Sequence, residues 1–384
     1  VKTAPGFGAA PAAVPITAES QPDLWLLVAD TAARLGVPAP AEVDLYPVPE
    51  VVALPGRLLL GLPYVLDLPA DELAAVVAHE LVHLHSASRL VPAGGAGVEG
   101  LADALVAQVV SPESVAAALV HASYLSLTFE RFVLQYVGPL AAAGWYPVDF
   151  WAAWRWRLGQ ERERFELPEL AGRVTALLGT SRVPAGVAGV RPVPLRPLPV
   201  EVEAGFAKLL AERLGSAAPG PVTPGPVTPA PLAPAPCPTS VRFGGRARTE
   251  PEPAGLRAVT FDAADASVWE EAATQCAIRV REVAADILGH PAVLARDVLG
   301  LVLAGRAAEI LRRCGGQSPE LFPVSRILVP LISDALRRSG HRPEHVLRQH
   351  VLIGPDFERV DLDELIDPLE RGAEPDQRLL DLLG

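Results

Sequence analysis

The chain has 384 residues, half of them hydrophobic, and a formal net charge of −12; that length suits one large domain or two ordinary ones. Apart from Lys2 and Lys208 the basic residues are arginines, scattered rather than clustered, which excludes a phosphate-tracking surface and nucleic acid as a partner. No long uncharged run free of proline reads as a membrane span, and Cys237, Cys276 and Cys314 form neither a metal motif nor a disulfide framework, so a soluble cytoplasmic protein is expected.

Residues 1–21 read as a flexible tail with no apolar core of a signal peptide. Asp23–Leu35 repeats Leu24, Leu27, Val28 and Leu35 at helical spacing and stops at Gly36. Short extended pieces follow at Val43–Val48, Val51–Leu54 and Arg57–Leu62. Pro69-Ala70-Asp71-Glu72 then opens a helix expected to run to about His85 and to bury Leu73, Val76, Val77, Leu81 and Leu84. A glycine-rich loop leads to a second helix, about Val98–Val110. Ser111-Pro112 caps a third, which continues to about Tyr136. Trp145, Trp151, Trp154 and Trp156 read as a core cluster, and Arg155–Glu166 as a solvated helical face. Residues 22–180 are therefore expected to form one domain.

Beyond it, residues 181–255 are rich in proline and include a repeated Pro-Gly-Pro-Val-Thr unit. They read as a linker interrupted by a short helix near 201–214. Residues 256–384 regain helical periodicity at Val268–Leu288, Pro291–Cys314, Pro323–Ser339 and Pro343–Val351, and are expected to be a separate all-helical accessory domain that could engage a protein partner. His341 and His345 read as a helical surface pair.

The chemistry concentrates in the helix expected from Pro69 to about His85, where His79-Glu80-Leu81-Val82-His83 has the H-E-x-x-H spacing. At ~3.6 residues per turn, His79 and His83 lie ~40° apart around the axis and ~6 Å apart along it, so both imidazoles reach one metal ion. Glu80 falls beside that ion, where a general base for activated water belongs. His85 is ~200° round from His83 and does not share the metal. A third protein ligand is needed, and Glu99, sixteen positions past His83 at the start of the next helix, is the candidate. Asp103, one turn on from Glu99, is placed to orient a zinc histidine through its free N–H. As alternatives, Glu99 reads as a first-turn acidic residue and Asp103 as helix surface. One Zn²⁺ per chain is expected on His79, His83 and Glu99.

Leu58–His85, with Asp71-Glu72-Leu73, Ala75-Val76 and Ala78 ahead of the H-E-x-x-H, resembles the M48 family of metallopeptidases, the group of HtpX-like and CAAX prenyl proteases. Glu99-Gly100-Leu101-Ala102-Asp103 is similar to that family's later E-x-x-A-D motif, which bears the third ligand. The likeness spans roughly Asp23–Tyr136; the connection from His85 to Glu99 is shorter than in many members, and their membrane helices have no counterpart. The resemblance implies an α+β zincin of the gluzincin kind, a small sheet with active-site helices; it does not extend to the C-terminal region, whose all-helical reading after the linker rests on periodicity alone. It implies a soluble zinc endopeptidase acting on a peptide or protein substrate through zinc-activated water with Glu80 as base. The substrate is expected to pair with a β-edge at Arg57–Leu62. The oxyanion donor is left open among His121, Tyr124, Arg131 and Tyr136. A reading of another class, a sensor or binding module with an occluded zinc site, also stands at this point.

Overall fold

A computed structural model describes residues 13–86, 96–160, 170–179, 191–216, 256–264, 266–291, 293–314 and 323–383. The chain is α+β, mostly helical with small sheets. It opens with β1 (Val14–Ile16), inside the stretch expected to be a loose tail, and α1 (Pro22–Leu35), which ends on Gly36 in the left-handed region. Strands β2 (Glu42–Tyr46), β3 (Val51–Leu54) and β4 (Arg57–Gly61) complete a four-stranded sheet in the order β1-β2-β4-β3. β2 and β4 run parallel, while β1 and β3 pair antiparallel at the two margins. Arg57–Leu62 is thus an interior strand already paired on both sides, and cannot be the edge a peptide adds to. Among the described residues the edge strands are β1 and β3, and β3 is the one that packs against α3.

Helix α2 (Leu62–Asp67) turns the chain into α3 (Ala70–Ser86), which packs against α1, β3, α4 (Ala96–Ala107) and α5 (Pro112–Phe132). Of the expected buried face of α3, Leu73, Val77 and Leu81 are buried, whereas Val76 and Leu84 are half-buried. Ser111 caps α5 by accepting from the Ser114 amide at 3.0 Å. A π-helical turn (Val133–Val137) and α6 (Gly138–Ala142) carry α5 into β5 (Trp145–Pro147) and α7 (Phe150–Gln160). Of the expected tryptophan cluster, Trp151 and Trp154 are buried beside Phe129, Phe132 and Phe150, whereas Trp145 is half-buried on β5 and Trp156 is exposed and stacks on His345. Arg157 is buried too, against the expectation of a solvated face, because it faces the C-terminal part.

Helices α8 (Ala171–Leu178) and α9 (Val200–Ser216) finish the first half. Part of the expected linker is packed rather than extended away: Ala70 donates its amide to Arg191 O, Val193 is buried, and the Gln21 amide bonds Arg196 O at 3.0 Å. The proline repeats at Pro219–Thr228 lie outside the described residues.

After the linker, β6 (Arg257–Val259) pairs in parallel with β5, and Phe261, Trp269 and Leu347 join the first core. A second core is built by α10 (Ala266–Leu288), α11 (Ala295–Leu303), α12 (Ala307–Arg313), α13 (Pro323–Arg338), α14 (Leu362–Glu370) and α15 (Gln377–Leu383). The C-terminal part is not all helical. Pro343–Val351 is no helix but the flank of a three-stranded antiparallel sheet of β7 (Arg342–Pro343), β8 (Val351–Ile353) and β9 (Arg359–Asp361). The β-branched Val351 and Ile353 suit a strand, and their pairing with β9 takes up the backbone a helix would have used. His341 and His345 are consequently not a surface pair: His341 is buried against Glu358, and His345 stacks on Trp156.

Candidate metal centre

Asp71 and Glu72 in the first turn of α3 each hold a partner on α5. Ser114 Oγ donates to Asp71 at 2.7 Å, and Glu72 bonds His121 Nδ1 at 2.9 Å. These contacts fix the helix that carries the motif. One side of α3 presents Ala75, Ala78 and Val82 to Ala102 and Val106 of α4 and to Val115 and Ala118 of α5. Small side chains at this crossing let α4 come close. That approach brings Glu99 and Asp103, on one face of α4, against His79.

His79 Nε2 lies 2.9 Å from His83 Nε2 and 3.2 Å from Glu99 Oε2, and His83 Nε2 lies 3.6 Å from Glu99 Oε1. For metal bonds of ~2.0–2.1 Å, the edge of a tetrahedral shell is about 3.3 Å. The two imidazole nitrogens and the two oxygens of the Glu99 carboxylate already stand at close to that spacing. His79 Nδ1 is 3.1 Å from Asp103 Oδ1, so this nitrogen is placed to donate to the carboxylate while Nε2 faces the group. Two imidazole nitrogens and a carboxylate facing one another is a donor set that calls for a cation, and borderline nitrogen and oxygen ligands suit Zn²⁺. His85 is not part of this group.

The local electrostatics agree. Burial pulls His79 down, but the bonds to Asp103 and Glu99 outweigh it and the imidazole is held above its ordinary value. His83 is lowered, by burial first and by His79 second. The hydrogen bond from His79 brings Glu99 down to about 2. Burial would raise Asp103, yet its bonds to His79 and Arg173 bring it below the usual carboxylate range. Glu80 is raised, by burial first, with Glu99 and Glu50 adding to the effect and His79 opposing it.

Arg173, from α8, was not legible as part of the site. Its Nε and Nη2 hold Asp103 at 2.7 and 2.8 Å, and Nη2 also stands 3.5 Å from Glu99. It is the one charged residue of α8, which is the signal the sequence offers. A fork of two N–H groups on a 2 % exposed carboxylate fixes where that carboxylate points. Arg173 thereby sets the His79 tautomer at one remove.

His79, Glu80, Asp103 and Arg173 line a cavity of about 240 Å³. Its other walls are Val51 and Val52 of the edge strand β3, Ala75 and Val76 of α3, and Val115, Ala118, Leu119, Ala122 and Ser123 of α5, with Glu50, Tyr64 and Leu170. None of the four oxyanion candidates is there. His121 is on Glu72, Arg131 on Asp363, Tyr136 donates to Leu347 O at 2.6 Å, and Tyr124 lies beside His121.

A second group, His350, Asp361 and Asp363, also brings ligand-type atoms together. Arg131 and Arg157 occupy Asp363 at 2.5 and 3.6 Å, so the position a metal would take is already cationic. It is a buried ion network joining α5 and α7 to α14. Among the described residues, no helix is long and apolar enough to cross a membrane. Compared with known protein families, curated proteins and solved structures, the chain finds no match.

Proposed function

We propose that this chain is a zinc-dependent endopeptidase, similar in its site to the M48 metallopeptidases, with His79, His83 and Glu99 as ligands and Glu80 as general base. The observation that carries the reading is the convergence of three ligand-type side chains on two helices, with closest approaches of 2.9–3.6 Å, beside a raised Glu80 in a cavity walled by an edge strand. Bound Zn²⁺ would polarise the scissile carbonyl and lower the pKa of water. The chain's own residues do the rest. Val51–Leu54 pairs main chain to main chain with an extended peptide. Glu80, with its carboxyl raised towards the working range of a base, takes a proton from the attacking water and later gives it to the leaving amine. Asp103 and Arg173 keep His79 in the ligating tautomer.

The test is metal content. Purified protein should carry about one zinc per chain, and the His79→Ala/His83→Ala double variant none; zinc retained by the double variant overturns the ligand set.

The sensor or binding-module reading draws support from Phe357, 89 % exposed with φ +61° at the turn between β8 and β9. A bulky residue held in that region is strained backbone of the kind found at recognition sites. Cutting the chain after Pro238 cannot separate the two readings, because Phe261, Trp269 and Leu347 belong to the first core. Turnover of an unstructured protein by the full zinc-loaded chain does separate them: cleavage supports the enzyme, and absence of cleavage supports the module.

A further inference from the structure

Glu50 sits immediately before the edge strand β3 and lines the same cavity as Glu80. Its position is fixed by backbone. Glu50 N donates to Val48 O at 2.9 Å, and Gly61 N donates to Glu50 O at 2.7 Å. The turn over residues 48–50 lies so close on β4 that a Cβ at Gly61 would stand 2.1 Å from Val48 O and 2.6 Å from Glu50 O. Only glycine admits that approach. The Glu50 carboxylate accepts from the buried Tyr46 hydroxyl at 3.1 Å, and burial, with Glu50 second, pushes that phenol up, so it remains a donor.

Among the described residues no cation lies within ion-pair distance of Glu50, although the chain carries many arginines. The one arginine that lines the cavity among the described residues, Arg173, is committed to Asp103 and Glu99, and His79 faces Asp103 and Glu99 as well. The cavity therefore offers an unmatched carboxylate beside the general base, at the end of the strand on which a peptide would lie. Much of the remaining wall is aliphatic, from Val51, Val52, Val76, Val115 and Leu119, and suits the methylene stem of a long cationic side chain. A volume of about 240 Å³ falls below the ~300–1,000 Å³ of pockets for whole small molecules, and fits one residue rather than a ligand of that size.

Resting on the peptidase reading, we infer that Glu50 is a specificity-determining residue that selects peptides carrying a positively charged group, an ammonium or guanidinium, within two residues of the scissile bond. The charge comes either from a lysine or arginine side chain or from a free amino terminus.

The experiment uses the full-length zinc-loaded chain and matched quenched peptides. One set is N-acetylated with lysine or the uncharged isostere norleucine at each of the two positions on either side of the cleaved bond. The other set is all-neutral in side chains, with and without the acetyl group. Cleavage is read as the ratio of kcat/KM between partners, and binding is read separately by fluorescence anisotropy with the same peptides. A preference of at least about tenfold for lysine over norleucine is expected, the scale of one charge-assisted hydrogen bond. In Glu50→Gln, which keeps an acceptor for Tyr46, the ratio falls to within about twofold of one. A preference for the free over the acetylated terminus, lost in the same variant, assigns the amino terminus instead of the side chain. Cleavage without any charge preference, or a preference that survives Glu50→Gln, overturns the assignment while leaving the peptidase standing. Glu50-dependent selection in binding without cleavage leaves the subsite standing and removes the peptidase. Neither cleavage nor binding overturns both.

Discussion

Replacing Arg173 by methionine isolates what the outer support of the site contributes. Methionine keeps the stem length and removes the fork. Asp103, 2 % exposed, loses donors at 2.7 and 2.8 Å and keeps only His79. Breaking a buried pair by removing one partner costs ~3–5 kcal/mol; with Arg173 at 21 % exposure and His79 still present, the expected loss is towards ~2 kcal/mol. The carboxyl of Asp103 should rise, His79 should lose the anchor of its Nδ1–H, and zinc affinity should fall ~10–100-fold, or ~1.4–2.8 kcal/mol. The assay is competition of the full chain against a chromophoric chelator at pH 7.5. Because Arg173 acts through Asp103, the Arg173→Met/Asp103→Asn double variant should bind zinc no worse than the weaker single variant. Unchanged affinity in Arg173→Met, or losses that simply add, would refute the relay.

Further consequences are as direct. Glu99 and Asp103 have lowered carboxyls, so their stabilising contribution is present above the unfolded values near pH ~4 and is lost as pH falls towards about 2 for Glu99. Acid titration of the metal-free protein followed by circular dichroism should show that loss, and Glu99→Gln should reduce it. His79 has the opposite sign: its raised value stabilises the metal-free chain below pH ~6.5, and the contribution disappears as pH rises through the folded value. Zinc competes with that proton, so its affinity should climb over the same interval. Gly61→Ala forces a Cβ into the 48–50 turn and should cost at least ~1–3 kcal/mol in urea unfolding; a cost near zero would contradict the close approach. Asp363→Asn leaves Arg131 and Arg157 facing a neutral amide between the two cores, and should cost ~3–5 kcal/mol. If unfolding is unaltered, the network does not hold the halves together.

The sequence was most readable where chemistry and helical geometry coincide. His79, His83, Glu99 and Asp103 follow from spacing on two helices, since positions one turn apart must share a face, and the structure brings all four together. Ser111 as a cap and Gly36 as a stop are equally local and fall where expected. Long-range pairing was hidden. Nothing in Arg57–Gly61 says that β2 will pair with it in parallel and close its second side, so the edge for a peptide was placed one strand away from Val51–Leu54. Arg173 and Glu50 are single charged residues in ordinary stretches, and only the packing of α8 and the 48–50 turn gives them meaning. Arg157 reads as surface until Asp363, far along the chain, arrives to neutralise it. The return of Phe261 and Trp269 to the first core blurred a boundary that a proline-rich linker made look clean.

The account turns on Glu80 acting as the base of a zinc site, and one comparison tests it most directly: hydrolysis of an unstructured protein such as casein by wild type and by Glu80→Gln, each verified to hold one zinc per chain. Wild type should cleave and lose activity to a chelator, while Glu80→Gln should keep its zinc and fall at least ~10²-fold in rate. Equal cleavage by the two forms at equal zinc content would contradict it.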